Sequence, residues 1–277
     1  MGTMDLQNLH RAGPLAGACL TPEEMAGLEV GMMQRKLEEN LNGNMKFWGK
    51  INGTTQDYMV CYNIDPYAEF PEKKFYYCNG ADFVLRAMPA LNDEYIKQAD
   101  EIKTAFTGDP SFFSFNGEDP EAEPDDPDAP PVERFREVHR LARVVGKIDH
   151  DCALVPRGAL SVDATKKVIQ NKFFEGLSFQ TAGELRAYMH MRYPEQLQGI
   201  SLLKKPGIIK SGDFLDCIDK DLPNGVWSIR YDRSSTLSYV SNMYWPGYHF
   251  YTVVGSAEFG GCYFGNGLPQ YDLAFML

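Results

Sequence analysis

Bases are scarce in this chain. Its 277 residues hold 27 Lys and Arg against 38 Asp and Glu, a net charge of −11, so the basic surface that nucleic acid requires is missing. Long apolar runs are missing as well. Nowhere do about eighteen apolar residues follow one another, which excludes a membrane-spanning helix. The N-terminal stretch has no basic start followed by an apolar run, so no secretory leader is expected. The six cysteines (Cys19, Cys61, Cys78, Cys152, Cys217 and Cys262) are scattered without a CxxC pair. They are predicted to be reduced thiols of a cytosolic protein, most of them small apolar fillers.

Chemical signatures are equally thin. GxGxxG, GxxxxGK[ST] and GxSxG are all absent. His10, His139, His190 and His249 show neither HExxH nor HxxxH spacing, so no metal site is expected. Gly260-Gly261 and Gly265-Asn266-Gly267 could suggest a phosphate cradle, but no helix follows them, and they fit a tight β-turn better. One cluster, Asp149-His150-Asp151-Cys152, puts acid, imidazole and thiol side by side. Triad members usually come from separate segments, and neighbours in a strand point to opposite faces, so these read as polar loop groups. The expectation is therefore no catalytic, cofactor-binding or metal residues, and a binding or structural protein.

What is present is a foldable composition, 44% apolar and 23% charged. Thr21-Pro22-Glu23-Glu24 supplies a cap, a first-turn proline and a capping-box acid. Met25, Leu28, Met32, Met33, Leu37 and Leu41 then recur at helical spacing up to Asn42-Gly43, predicting a long amphipathic helix with a Met-rich core stripe. Residues 46–51 and 57–64 read as strands. Residues 74–78 and 81–88 flank Asn79-Gly80 and predict a tight hairpin. Asn92 is placed to cap a short helix to about residue 104. Residues 132–147 are basic on balance; their early part reads as helix, while "LARVVGKI" fits helix or strand. Ser178 or Thr181 is placed to cap a helix carrying Leu185, Tyr188 and Met189.

Between these elements, residues 117–131 contain seven acids, five prolines and no base, the signature of a solvated, extended loop. From residue 226 onward, 13 of the 35 aromatics fall in short strand-like runs separated by turn signals, which predicts an antiparallel meander. No helices alternate with those runs, so the class is α+β rather than doubly wound. The organisation reads as an N-terminal tail at 1–20, a helix and β-hairpin region at 21–116, the acidic loop at 117–131, and helices plus sheet at 132–277, joined with 21–116 in one fold. The last five residues, Leu273-Ala274-Phe275-Met276-Leu277, are all apolar. They match no prenylation, peroxisomal or retention pattern and are expected to pack as a final strand or plug, on this chain's own sheet or on a neighbour.

Several short pieces stand in one order: "FWGKI" at 47–51 with Asp57-Tyr58, "GDPS" at 108–111, "VPRGAL" at 155–160 and "FEGLS" at 174–178. "GVWSI" at 225–229, "WPG" at 245–247, "YFGNG" at 263–267 and "DLAFML" at 272–277 complete them. Together they resemble the radial spoke head protein 9 family of motile cilia and flagella, from about residue 21 to the C-terminus. The chain departs from that pattern at Ala274, where animal members carry Pro, in the acidic insert, and in the first twenty residues.

The resemblance implies a non-catalytic component of the radial spoke head on the axoneme. It implies radial spoke head 4/6-type proteins as neighbours, with MORN-repeat head proteins and stalk proteins as wider company. Transient contact with central pair projections would follow, with no nucleic acid, membrane or cofactor. Trp48, Trp227 and Trp245, with Phe275, Met276 and Leu277, are the expected core or interface anchors. Two other classes compete: a soluble enzyme using His150 or Cys152, and a free adaptor unconnected with cilia.

Overall fold

Thr21 opens the first helix as its side chain predicts. Its hydroxyl accepts from the Glu24 amide at 3.2 Å while the Glu24 carboxylate accepts from the Thr21 amide at 2.8 Å, which satisfies two otherwise orphaned donors. The helix, α1 (Pro22–Glu38), ends before the predicted Asn-Gly stop, where Asn40 takes a positive φ of 48°. The computed structural model describes residues 9, 17, 19–65, 67–112, 134–165, 167–195, 214–232 and 236–276. The acidic segment 117–131, most of 1–20, and Leu277 lie outside the described residues.

Two antiparallel runs of strands follow. The first is β1 (Lys46–Ile51), β2 (Tyr58–Asp65), β3 (Glu72–Asn79) and β4 (Arg86–Ala87). The second, late in the chain, is β9 (Trp227–Asp232), β10 (Leu237–Asn242), β11 (Tyr248–Val253) and β12 (Phe259–Gly265), the expected aromatic meander. They join edge to edge into one eight-stranded sheet of order β4-β3-β2-β1-β12-β11-β10-β9. The seam is the parallel pairing of β1 with β12, Gly49 opposite Tyr263. Only glycine fits at that point: a Cβ on Gly49 would stand 2.3 Å from the Tyr263 carbonyl oxygen.

Alternation along β2 divides the core. Tyr58, Val60 and Tyr62 pack on one face of the sheet; Met59 and Cys61 pack on the other. The first face carries α3 (Glu137–Cys152). Its Leu141, Val145, Ile148 and Cys152 are fully buried at four-three-four spacing, so the ambiguous "LARVVGKI" is helix. A short helix, α2 (Asp93–Glu101), lies against it through Asp100, which takes both arms of Arg143 at 3.0 and 3.1 Å and the Lys147 amine at 2.7 Å. The second face is covered by α1, through Leu28 with Met25 and Met32. A Cβ on Gly31 would come within 2.4 Å of the Phe83 carbonyl oxygen, so this glycine lets the helix approach the sheet's end closely.

Two local expectations are corrected here. The hairpin at Asn79-Gly80 is a wider turn with Phe83 at φ 52°, and β4 has two residues only, because Phe83 turns toward α1. The helix expected after Ser178 is two 3₁₀ turns, Thr181–Gly183 and Leu185–Ala187, followed by β8 (Tyr188–His190). β8 pairs with β5 (Leu154–Pro156), beside the small pair β6 (Leu160–Val162) and β7 (Val168–Gln170). The Tyr188 hydroxyl decides this: it donates to the Ala182 carbonyl at 2.7 Å and lies 2.9 Å from the Ser238 hydroxyl. Extended backbone carries the ring to those partners.

The C-terminal residues form one helical turn, α4 (Leu273–Met276), and not a strand. β12 is already enclosed by β1 and β11, so the chain that leaves it finds no free strand edge beside it. Leu273 is buried, whereas Phe275 and Met276 are 89% and 69% exposed, so these two do not plug this chain's own sheet.

Candidate assembly surfaces

The three tryptophans are all buried, at 3–6% exposure, and each indole N–H donates to a carboxylate. Trp48 of β1 reaches Asp149 at 3.1 Å, Trp245 reaches Asp151 at 2.9 Å, and Trp227 of β9 reaches Asp221 at 2.7 Å. Asp149 also takes the Lys73 amine, which lies over the Tyr62 ring. Asp221 also bonds His190 at 2.8 Å. Burial pushes the Asp221 carboxyl up, but hydrogen bonding and charge from His190, with the Trp227 bond, outweigh it and hold the group below the usual range.

This explains the acid–imidazole–thiol cluster. Asp149 and Asp151 sit in the last turn of α3, about 200° apart around the axis, so they receive indoles brought by β1 and by the turn between β10 and β11. The expected loop is helix, and the acids are structural acceptors. Cys152 is fully buried with its thiol pushed well up by desolvation, which removes nucleophilic character. His150 faces outward, 3.2 Å from Asp151. Imidazole and thiol therefore diverge, because helical residues two positions apart differ by about 200° in direction.

At the other end of α3 lies a pair that sequence reasoning missed. Glu137 is fully buried. It accepts from the Tyr58 hydroxyl at 2.8 Å, the Thr107 amide and hydroxyl at 2.9 Å each, and the Gly108 amide at 2.9 Å. The Tyr58 phenol is pushed up by burial and by this carboxylate. Arg140, also fully buried, donates to the Thr104 and Ala105 carbonyls and stacks 4.1 Å over Phe106. A charged, partly basic helix gave no sign of this, since burial of a charge depends on donors far away in sequence.

A cavity of about 350 Å³ opens beside the Asp151–Trp245 contact, with His190, Arg192, Asp221 and Pro223 among its walls. Its two carboxylates are already engaged: Asp151 accepts from the Trp245 indole, and Asp221 accepts from the Trp227 indole and bonds His190. Among the described residues no group of three or more His, Cys, Asp or Glu is placed to hold a metal ion. None of the helices described there is long and apolar enough to cross a membrane.

Outward-facing apolar groups are more telling. Val30, Met33 and Leu37 of α1 are 65%, 59% and 81% exposed. Tyr271, Phe275 and Met276 form a second exposed group at the C-terminus. The expected tryptophan anchors thus lie inside this chain, Phe275 and Met276 lie outside it, and Leu277 is beyond the described residues.

No protein-family model matches the chain. Known proteins do. The human radial spoke head protein 9 homolog is 32% identical over 279 residues, covering 99% of this chain and all of the relative. The homolog of Danio rerio is 32% identical over 284 residues with the same coverage, and that of Xenopus tropicalis 28% identical over 95% of each chain. The similarity therefore extends beyond the segment from residue 21 onward. At this identity over the whole length, the chain belongs to the radial spoke head protein 9 family.

Proposed function

We propose that the chain is a non-catalytic structural component of the radial spoke head in motile cilia and flagella, located on the axoneme. Its full-length relationship to radial spoke head protein 9 homologs carries the reading. The chemistry of the chain supports it. The acids that sequence reading offered to catalysis hold tryptophans, the thiol beside them is sealed, and His150 faces outward, away from that thiol. A part under repeated mechanical load gains more from such internal cross-bracing than from an open reactive cleft.

In this role the chain contributes to spoke head assembly and passes mechanical contact between the central pair and the doublet microtubules, thereby regulating dynein-driven bending. Radial spoke head 4/6-type proteins are its proposed neighbours, with MORN-repeat head proteins and stalk proteins beyond them. The exposed Phe275 and Met276 are offered as a contact for such a neighbour.

Fractionation of detergent-extracted cilia tests the reading, with the chain followed by mass spectrometry. Retention on the axoneme and release at high salt in a large particle with other spoke proteins is the expected result. Release by detergent alone, as a free small protein, would overturn it and favour a free adaptor or an enzyme.

A further inference from the structure

The outer face of α1 carries a seam. Ala26, Val30, Met33 and Leu37 are all exposed, and they follow one another at four-three-four spacing. That is the spacing of the apolar positions of a two-helix coiled coil. The residues by which α1 packs on its own sheet, Leu28, Gly31, Met25 and Met32, occupy the other side. Single exposed leucines are ordinary; four aligned apolar residues along one line of a helix are not.

The seam has a symmetry of its own, and this identifies its occupant. We infer that α1 pairs antiparallel with α1 of a second copy of this chain, about a two-fold axis midway between Val30 and Met33. In that arrangement Ala26 faces the second copy's Leu37, and Val30 faces the second copy's Met33. Each layer sets a smaller side chain against a larger one, and each occurs twice, as an isologous contact demands. The flanking charges agree. Glu29 and Lys36 line the same edge of the seam, and antiparallel pairing brings the Glu29 of each copy to the Lys36 of the other. Lys36 now bonds the side chain of Asn44 at 2.8 Å on the exposed surface, within reach of that exchange. A parallel pair would instead stack Leu37 on Leu37 and Ala26 on Ala26, crowding one end and leaving the other empty, with no opposite charges across the seam. The pairing is independent of the spoke-head reading.

Sedimentation equilibrium on the purified full-length chain tests it. A monomer–dimer equilibrium in the micromolar range is expected, since the helix is 17 residues long and offers only four apolar layers. Leu37→Glu and Val30→Glu should each weaken the dimer by about tenfold or more, with the thermal unfolding midpoint unchanged when it is measured at concentrations low enough for both chains to be monomeric. Glu29→Lys should weaken it as well, and Glu29→Lys combined with Lys36→Glu should restore it, because the swapped charges again meet as opposites. A chain that stays monomeric up to hundreds of micromolar would overturn the pairing. So would a dimer indifferent to Leu37→Glu, or a charge swap without rescue. Binding of an unrelated amphipathic helix to this stripe by a strictly monomeric chain would also overturn it and assign the seam to a different partner.

Discussion

Two helices cover the two faces of the sheet, and they are built differently. On α3, Leu141, Val145, Ile148 and Cys152 are fully buried, and so are the charged Glu137 and Arg140. On α1, Leu28 and Gly31 are buried while Val30, Met33 and Leu37 stand in water. One helix takes two charged groups, Glu137 and Arg140, inside and satisfies them there; the other leaves apolar groups outside. The contrast teaches that hydrophobicity along a helix does not by itself say which way the helix faces. It also separates two functions: α3 ties the strands together, and α1 offers a surface.

Breaking the α3 side should cost most. Glu137→Ala leaves the Tyr58 hydroxyl and the Thr107 and Gly108 amides without their acceptor, and should lower unfolding free energy by about 3–5 kcal/mol. Urea titration checks this, and Glu137→Gln, which keeps an acceptor, should recover part of the loss. At the start of α1, Thr21→Ala removes one half of the capping box and should cost about 1 kcal/mol, read in the same titration. Leu37→Ser, on the outer face, should change monomer stability by no more than about 0.5 kcal/mol. A loss above that would mean the outer face already packs on its own chain.

The polar side should also respond to acid. Asp221 has its folded pKa depressed by His190 and Trp227. Its contribution is therefore present above the unfolded carboxylate value of about 3.9 and is lost as pH falls through the folded value. Unfolding curves collected down the acid limb should show stability declining there, with a shallower decline in Asp221→Asn. An unchanged slope in that variant would show that Asp221 does not contribute to acid sensitivity.

Much of this architecture was legible locally. The cap at Thr21, the strands β1 and β2 and the late meander follow from side-chain type and period-two or helical spacing. The β8 strand was not, because Ser178 and Thr181 resemble helix caps, while the deciding bonds of Tyr188 come from Ser238 and the Ala182 carbonyl. The Asp149–Cys152 cluster misled in the same way. Its acids answer to Trp48 and Trp245, about a hundred positions away in each case.

By itself, the sequence determined the α+β class, the family and most of the strand-forming runs, since these depend on periodicity and on residues close together in the chain. Tertiary structure alone decided that β1 meets β12 in parallel, that Glu137 and Arg140 are buried, and that the C-terminal residues coil instead of adding a strand. Those outcomes depend on which distant edge, donor or carbonyl is still unoccupied when the chain closes, and a local pattern carries no record of that.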